Sequence, residues 1–491
     1  MKNCITNIFK FIGCIAIAVL FNACSEEFLE IEPKGIGTLT RTEDFRLFLK
    51  NSSLSTQDNA IPGSLIYKGP EACAIEPIFS TFIVSSELRY KFFAFEPDFG
   101  AGGTGHAFDR INPFTLLYGL NAIVNGVMDS KGGTEAQKRE IWAQAKVFRA
   151  YINYKLLKVL GQTYDPATAN TDLGIIDIQD FDVTVTDRAR MTLQESYDFI
   201  INDIKEALPY LPANINRDNM SKPVGHMLLG LQYLQMHNYQ DALTQFDGAF
   251  TAISASNGLS TALFDYNVST LPGGAHAAGR FFPAQPRFGD DTEMLFGEFN
   301  SIIGAKGIRP WIFMSPETSA LYGPNDLRLS ALYSHFPFRS STPYSVPGVY
   351  RRLYNFEFEG LKLNNLYLLR AECRARTGNT AGAIADLQFL RNHRIKPTDA
   401  AVPSGLSQDA LIKYIVDERI REFAMVNGEP FMDVKRLWND PLFQDRKPYQ
   451  HKIYNADGSV KETFTLTKNR LVLQIPGSIM DQNPSLINNP D

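Results

Sequence analysis

The sequence predicts a mainly α-helical fold, in which helical hairpins form a scaffold that carries large irregular loops and a few short β-hairpins. Three observations lead to this prediction. Apolar residues recur at helical spacing in several segments. Two pairs of helical segments share a pattern of small residues, and long stretches rich in Gly, Pro, Ser and aromatic residues separate the helical segments.

Single helices are predicted in three places. The first covers residues 135–160, with Thr134 as its N-cap, and the second covers residues 192–208, with a capping box that begins at Thr192. The third covers residues 407–425. In each segment the apolar residues form a stripe along the helix, so we expect each helix to pack against a core.

Two helix pairs share one pattern. They cover residues 224–236 with 239–250 and residues 363–376 with 381–392. When Asn238 is aligned with Asn379 at the turns, Gly230 falls on Ala371 in the first helices. A small residue there lets two helices approach closely, and the pattern resembles the tetratricopeptide unit, which buries a core only when it stacks on neighbouring helices. An ordinary helical hairpin is the alternative interpretation.

The segments between the helices show little regular pattern. Residues 51–115 and 253–350 are rich in Gly, Pro and Ser and contain scattered aromatic residues. Ordered loops of this length are uncommon and tend to be functional. Near the end of the chain, residues 452–464 alternate in character around a turn at residues 455–458, which predicts a β-hairpin.

Charge and cysteine content exclude several classes of protein. The net charge is −5 and no run of basic residues is present, so nucleic acid is not an expected partner. The 5 cysteines do not have the spacing of a disulfide framework or of a metal site. Cys73 and Cys373 lie beyond the first 24 residues, and the sequence leaves open whether they pair.

The N-terminus predicts export and a lipid anchor. Lys2 and Lys10 precede an apolar stretch at residues 11–21, which is too short to span a membrane and is typical of a secretory signal. Residues 21–24 resemble a bacterial lipobox, which implies cleavage of a signal peptide over residues 1–23 and acylation of Cys24. The acyl chains would hold the protein on a bilayer. An ordinary signal peptide followed by an incidental cysteine is the alternative.

Several further blocks lie in an order that is typical of one protein family. In chain order they are residues 25–27, 27–35, 118–125, 145–151, 197–204 and 326–329. The most specific block covers residues 417–438 and departs from the family pattern at residues 427–430, where an expected ion pair is missing. Through these blocks the mature chain resembles the SusD/RagB family of nutrient-binding lipoproteins of Bacteroidetes.

The resemblance implies one domain over residues 24–491. Within it, a tetratricopeptide-like scaffold would cover about residues 116–252 and 362–440, and a loop-rich ligand-binding half about residues 45–115 and 253–350. The resemblance also implies a non-catalytic lipoprotein on the cell surface, anchored in the outer membrane. Such a protein captures an oligosaccharide or a peptide and delivers it to a SusC-like TonB-dependent transporter. A protein–protein scaffold and a glycan-degrading enzyme are the alternatives, and the sequence does not identify the nutrient.

No catalytic, metal-binding or cofactor-binding motif is evident, so we expect a protein without enzymatic activity, metal or cofactor. One group of charged residues includes carboxylates of the kind that hydrolyse glycosides. Because its charges are dense, of both signs and at helical spacing, we expect a salt-bridged structural corner instead. The group consists of Glu418, Arg419, Arg421, Glu422, Asp433 and Arg436.

Aromatic residues in the loops are the candidate ligand contacts. A sugar ring has an apolar C–H face and a rim of hydroxyls, so it suits an aromatic side chain with polar neighbours. A peptide would instead use apolar pockets and backbone donors. The chain has 3 Trp, and Trp311 and Tyr90 are the first candidates because they lie among Arg, Lys and Phe residues. The other candidates are Arg89, Phe93, Phe282 and Tyr67. The alternative for each is that it packs its loop onto the scaffold.

Overall fold

The fold is mainly α, as predicted. The computed structural model describes residues 39–50, 63–85, 87–97, 113–182, 184–185, 187–259, 261–277, 291–298, 311–337, 340, 342–353, 359–426 and 428–490. Within these residues the α-helices are α1 (Thr42–Leu49), α2 (Ile78–Phe82), α3 (Leu88–Phe93), α4 (Pro113–Gly126), α5 (Glu135–Leu160), α6 (Leu193–Ala207), α7 (Lys222–Gln235), α8 (Tyr239–Ala255), α9 (Tyr266–Ser269), α10 (Pro316–Ser319), α11 (Leu327–Leu332), α12 (Leu363–Arg376), α13 (Thr380–Asn392), α14 (Gln408–Phe423), α15 (Glu429–Arg436) and α16 (Gly477–Met480).

The long helix α5 forms the middle of the first half of the scaffold. Thr134 caps it by accepting a hydrogen bond from the Gln137 backbone N–H, and the helix ends at Leu160, with Gly161 as its C-cap. Helices α4 and α6 pack against it. Helix α6 begins with the predicted capping box of Thr192 and Glu195. The three single helices predicted from apolar spacing are therefore confirmed, with ends that differ by one or two residues.

The two predicted helical hairpins are confirmed as α7–α8 and α12–α13. Helix α8 continues to Ala255, beyond the predicted end at residue 250. The close approach at Gly230 is real, because a Cβ added there would lie 2.5 Å from the Phe246 ring. Helix α8 also packs on α12, and α12 on α14, so the hairpins stack on one another as tetratricopeptide-like units. Among the described residues, none of the helices has both the length and the apolar character that crossing a membrane requires.

Short strands tie the loop-rich regions together. They are β1 (Ala72–Ile75), β2 (Leu173–Ile176), β3 (Arg190–Thr192), β4 (Met294–Glu298), β5 (Phe313–Met314), β6 (Tyr333–Ser334), β7 (Arg351–Arg352), β8 (Glu359–Lys362), β9 (Gln450–Tyr454) and β10 (Val460–Thr465). The largest sheet has the order β10–β9–β1–β5, in which β9 and β10 form the predicted hairpin. The β1–β9 pair is parallel, and the β1–β5 pair is antiparallel.

The question of a disulfide is settled by the fold. Cys73 lies on β1 and Cys373 lies on α12, and both are buried free thiols. Burial raises the pKa of both thiols above the usual range, so neither is a reactive thiolate at neutral pH. Both cysteines are core residues.

Candidate functional site

Pairing of β1 with β5 brings two distant loop regions to one sheet edge. Cys73 lies opposite Phe313 in an antiparallel register, so the chain before Phe313 runs towards the end of β1. There the chain turns at Pro77 into α2. Trp311, two residues before Phe313, and Phe82, the last residue of α2, consequently meet in space.

The two rings form a stack. The centroids of the Phe82 and Trp311 rings are 3.7 Å apart, and the ring planes differ by 7°. Phe82 is 44% exposed, whereas Trp311 is partly buried and packs against the hydrophobic core. The neighbouring Phe79 and Ile83 point into the core, so the short helix presents Phe82 outwards. An aromatic surface is therefore open to solvent at the edge of the sheet.

Polar groups lie beside this aromatic pair. Arg89 on α3 forms a part-exposed ion pair with Glu87, with its Nε donating to the carboxylate over 2.9 Å. The Tyr67 hydroxyl lies close to the Arg89 guanidinium and to the Trp311 backbone. It makes no well-formed hydrogen bond within the described part of the chain, and its burial raises the pKa of Tyr67 to about 12. Arg89 and Glu87 thus place a donor and an acceptor in the neighbourhood of Trp311, linked to it through the Tyr67 hydroxyl.

The rings of Phe93 and Tyr67, two other predicted ligand contacts, are not part of the exposed surface. Phe93 is fully buried and stacks on His451 with centroids 4.6 Å apart, and Tyr67 is 1% exposed, so both rings belong to the core. Tyr90 is partly buried, and its ring packs near Phe79 and Phe464. Phe282 and the anchor residue Cys24 lie outside the described residues. The structure thus brings together Trp311, Arg89 and Tyr67 and adds Phe82, which the sequence did not single out.

The charged residues of α14 and α15 form the predicted ion-pair corner. Glu418 is fully buried and accepts hydrogen bonds from three arginines. They are Arg328 at 2.5 Å, Arg391 at 2.8 Å and Arg421 at 2.8 Å. Burial alone would raise the pKa of Glu418, but the three guanidinium groups hold it below its usual value. A carboxylate that is held ionised by three arginines is poorly suited to act as a general acid.

Two further carboxylates, Glu293 and Glu422, have pKa values shifted in opposite directions, as in a pair of a general acid and a base. Burial raises the pKa of Glu293, whereas Arg394 and Arg328 overcome burial and hold the pKa of Glu422 low. Arg394 lies between them, with Nη2 at 2.6 Å from Glu293 and 2.8 Å from Glu422. The guanidinium therefore occupies the space where a glycosidic oxygen would have to lie, and the pair is better explained as structural.

A polar cavity of about 170 Å³ lies beside this corner, among α5, α7, α12, α14 and α15. The acidic residues on its wall are paired with cations: Glu293 with Arg394, Glu422 with Arg328 and Arg394, Glu429 with Lys158, and Asp433 with Arg419 and Arg436. The Glu429–Lys158 pair, at 3.2 Å, lies where the sequence departs from the family pattern. Across the described ranges, no three His, Cys, Asp or Glu residues are placed to hold a metal ion.

Comparison with known proteins identifies the family. Two family models match the chain: one, described as the SusD family, matches residues 358–491, and the other, described as starch-binding associating with outer membrane, matches residues 112–225. The chain belongs to the SusD/RagB family. The matched segments cover the scaffold, and both leave out the Phe82–Trp311 stack. A search of curated proteins found no relative of this SusD/RagB-family chain.

Solved structures share the fold of this SusD/RagB-family chain. A putative sugar binding protein from Bacteroides vulgatus is 17% identical, with a TM-score of 0.67 over 93% of this chain and 99% of that one. A SusD superfamily protein from Bacteroides thetaiotaomicron is 16% identical, with a TM-score of 0.67 over 92% and 100%. A surface glycan-binding protein A from Bacteroides fluxus is 15% identical, with a TM-score of 0.61 over 92% and 99%. At these identities the likeness establishes a common fold.

Proposed function

We propose that the protein is a non-catalytic, lipid-anchored protein of the outer membrane that captures a carbohydrate at the cell surface and delivers it to a SusC-like TonB-dependent transporter. The observation that carries this proposal is the exposed Phe82–Trp311 stack, with the Arg89–Glu87 ion pair linked to Trp311 through the Tyr67 hydroxyl. The names of the matched family and of two structural neighbours, which refer to starch, sugar and glycan binding, support a carbohydrate rather than a peptide.

The chemistry of the site suits binding without turnover. A pyranose ring can lay its C–H face on an aromatic ring while its hydroxyls reach a guanidinium and a carboxylate. The Glu87 carboxylate is the acidic partner in the pair that flanks the stack, and it is engaged by Arg89. Glycoside hydrolysis needs two carboxyl groups on opposite sides of the scissile bond. The buried carboxylates of the ion-pair corner are held by arginines instead.

A binding screen with product analysis tests the proposal. The purified protein is run in native gels that contain starch, xylan, glucomannan or galactan, and is incubated separately with each polysaccharide. We expect retarded migration in at least one polysaccharide and no release of reducing ends. Release of reducing ends in proportion to the amount of protein would contradict the proposal and indicate that the protein is an enzyme. If no polysaccharide retards the protein and the protein binds a casein digest, the ligand is a peptide rather than a carbohydrate.

The membrane anchor needs a separate experiment. If Cys24 is acylated, metabolic labelling with a palmitate analogue will label the wild-type protein, and the protein will fractionate with the outer membrane. Cys24→Ser should lose both the label and the membrane association. Equal labelling of the wild type and Cys24→Ser would contradict acylation of Cys24. It would not affect the proposal that the protein binds a carbohydrate.

The helical scaffold offers a separate surface for a protein partner. Phe389 on α13 is 44% exposed and stacks on Tyr367 of α12 with centroids 4.9 Å apart. This surface lies on the tetratricopeptide-like hairpin α12–α13, whereas the Phe82–Trp311 stack lies at the β1–β5 pair. If it meets the transporter, Phe389→Ala should reduce co-purification of the transporter while the affinity for polysaccharide stays unchanged. Unchanged co-purification would place the transporter contact elsewhere.

A further inference from the structure

Phe82 covers the ring that a ligand would use. With centroids 3.7 Å apart and planes within 7° of parallel, the Phe82 ring lies face to face on the Trp311 ring. Trp311 also packs against the hydrophobic core. A sugar ring therefore cannot stack on this face of Trp311 while Phe82 stays in place.

The stack is a poor arrangement for two aromatic rings. Both faces carry the negative part of the ring quadrupole, so aromatic pairs prefer offset or edge-to-face geometry with centroids about 4.5–7 Å apart. The C–H face of a pyranose instead presents partly positive hydrogens. The covered face of Trp311 is thus better matched in charge to a sugar ring than to Phe82.

Phe82 can leave without moving the segment that carries it. It is the last residue of α2, and its neighbours Phe79 and Ile83 are 2% and 3% exposed and fix the segment to the core. The Phe82 side chain is 44% exposed, so rotation about its side-chain bonds carries the ring into solvent. Exposed side chains change rotamer within picoseconds to nanoseconds, so uncovering Trp311 affects affinity rather than adding a slow step.

We propose that Phe82 is a displaceable cap on Trp311 and that one pyranose ring of the ligand takes its place. The inference rests on the proposed function and narrows the ligand class. The space that Phe82 leaves has the area of a single six-membered ring. A pyranose with equatorial hydroxyls fits it because its C–H faces are open, as in polymers of glucose or xylose. An axial hydroxyl, as in mannose, obstructs one of the two faces, so only one face remains for stacking and fewer orientations of the ring can bind.

Calorimetry with four hexasaccharides tests the cap. Maltohexaose, cellohexaose, xylohexaose and mannohexaose are titrated into the wild type, Phe82→Ala and Trp311→Ala. When a covered state dominates, the apparent Kd exceeds the intrinsic Kd by the inverse of the competent fraction. We expect Phe82→Ala to bind a glucose or xylose hexasaccharide roughly three- to tenfold more tightly than the wild type. Trp311→Ala should lose binding, and mannohexaose should bind more weakly than the preferred sugar.

Phe389→Ala is the matched control, since Phe389 is also 44% exposed but lies on the scaffold. Its affinity for the hexasaccharides should equal that of the wild type. Weaker or unchanged binding by Phe82→Ala, with binding lost in Trp311→Ala, would overturn the cap and leave the proposed function standing. Absence of binding by both the wild type and Phe82→Ala to all four sugars would overturn the cap, and it would overturn the proposed function as well if none of the polysaccharide gels retarded the protein.

Discussion

Glu418→Gln should destabilise the protein strongly while leaving the Phe82–Trp311 site intact. Glu418 is fully buried, and its carboxylate faces three guanidinium groups, those of Arg328, Arg391 and Arg421. Glutamine keeps the shape of the side chain but removes its negative charge. It also turns an amide N–H₂ group towards arginine donors, so buried positive charge is left without compensation.

The magnitude follows from the burial of the network. Breaking a buried ion pair by removing one partner costs about 3–5 kcal/mol. Because one carboxylate serves three arginines here, we expect the upper part of that range, about 4–5 kcal/mol in the free energy of unfolding. The pKa of Glu418 is held below its usual value, so the charge is present at neutral pH.

Guanidinium chloride unfolding, followed by tryptophan fluorescence and circular dichroism, measures the effect. The exposed pair Lys413–Asp445 provides the control, because its side chains are 32% and 64% exposed. Asp445→Asn should change the unfolding free energy by less than about 1 kcal/mol. A loss of under about 1 kcal/mol in Glu418→Gln would contradict this expectation, because the buried network would then contribute no more than a surface pair. Loss of sugar affinity in the folded variant would refute the purely structural role.

Two further predictions concern the core. Burial raises the pKa of Glu71 from 4.5 to about 7, so the folded protein binds this proton more tightly than the unfolded chain. The resulting stability is present below pH 4.5 and is lost as the pH rises through 7. Relative to Glu71→Gln, the free energy of unfolding of the wild type should fall by about 3 kcal/mol between those two pH values. Unfolding experiments at a series of pH values measure this difference. Gly230→Ala would place a Cβ 2.5 Å from the Phe246 ring, and we expect it to lower the free energy of unfolding by about 1–2 kcal/mol. Gly323→Ala is the control, because nothing lies within 4 Å of that position, and chemical unfolding should show no change. A flat pH dependence of the Glu71→Gln difference, or equal effects of the two glycine variants, would contradict these expectations.

The helical scaffold could be predicted from the sequence because its signals are local. The cap at Thr134 acts on a residue three positions away, and the stripe of α6 repeats every three or four residues. The ion-pair corner was predicted from the charges of α14 and α15, but its partners Arg328, Arg391 and Arg394 come from other segments. Helical spacing does not report contacts between distant segments.

The candidate site could be predicted only in part. Trp311, Arg89 and Tyr67 were among the candidates because aromatic and charged residues cluster in the loops. Phe82 was missed because its position depends on the pairing of β1 with β5, where Cys73 and Met314 are 241 residues apart. Phe93 was a candidate because composition does not distinguish an aromatic residue on a loop surface from one that the β9–β10 hairpin covers.

A crystal structure of the protein with its tightest-binding hexasaccharide tests most directly whether a sugar ring displaces Phe82 from Trp311. We expect one pyranose ring to lie on Trp311 where Phe82 lies in the free protein, with Phe82 turned into solvent and a sugar hydroxyl bonded to Arg89 or Glu87. A sugar bound in the polar cavity beside α14 or on the hairpins, with the Phe82–Trp311 stack undisturbed, would contradict it.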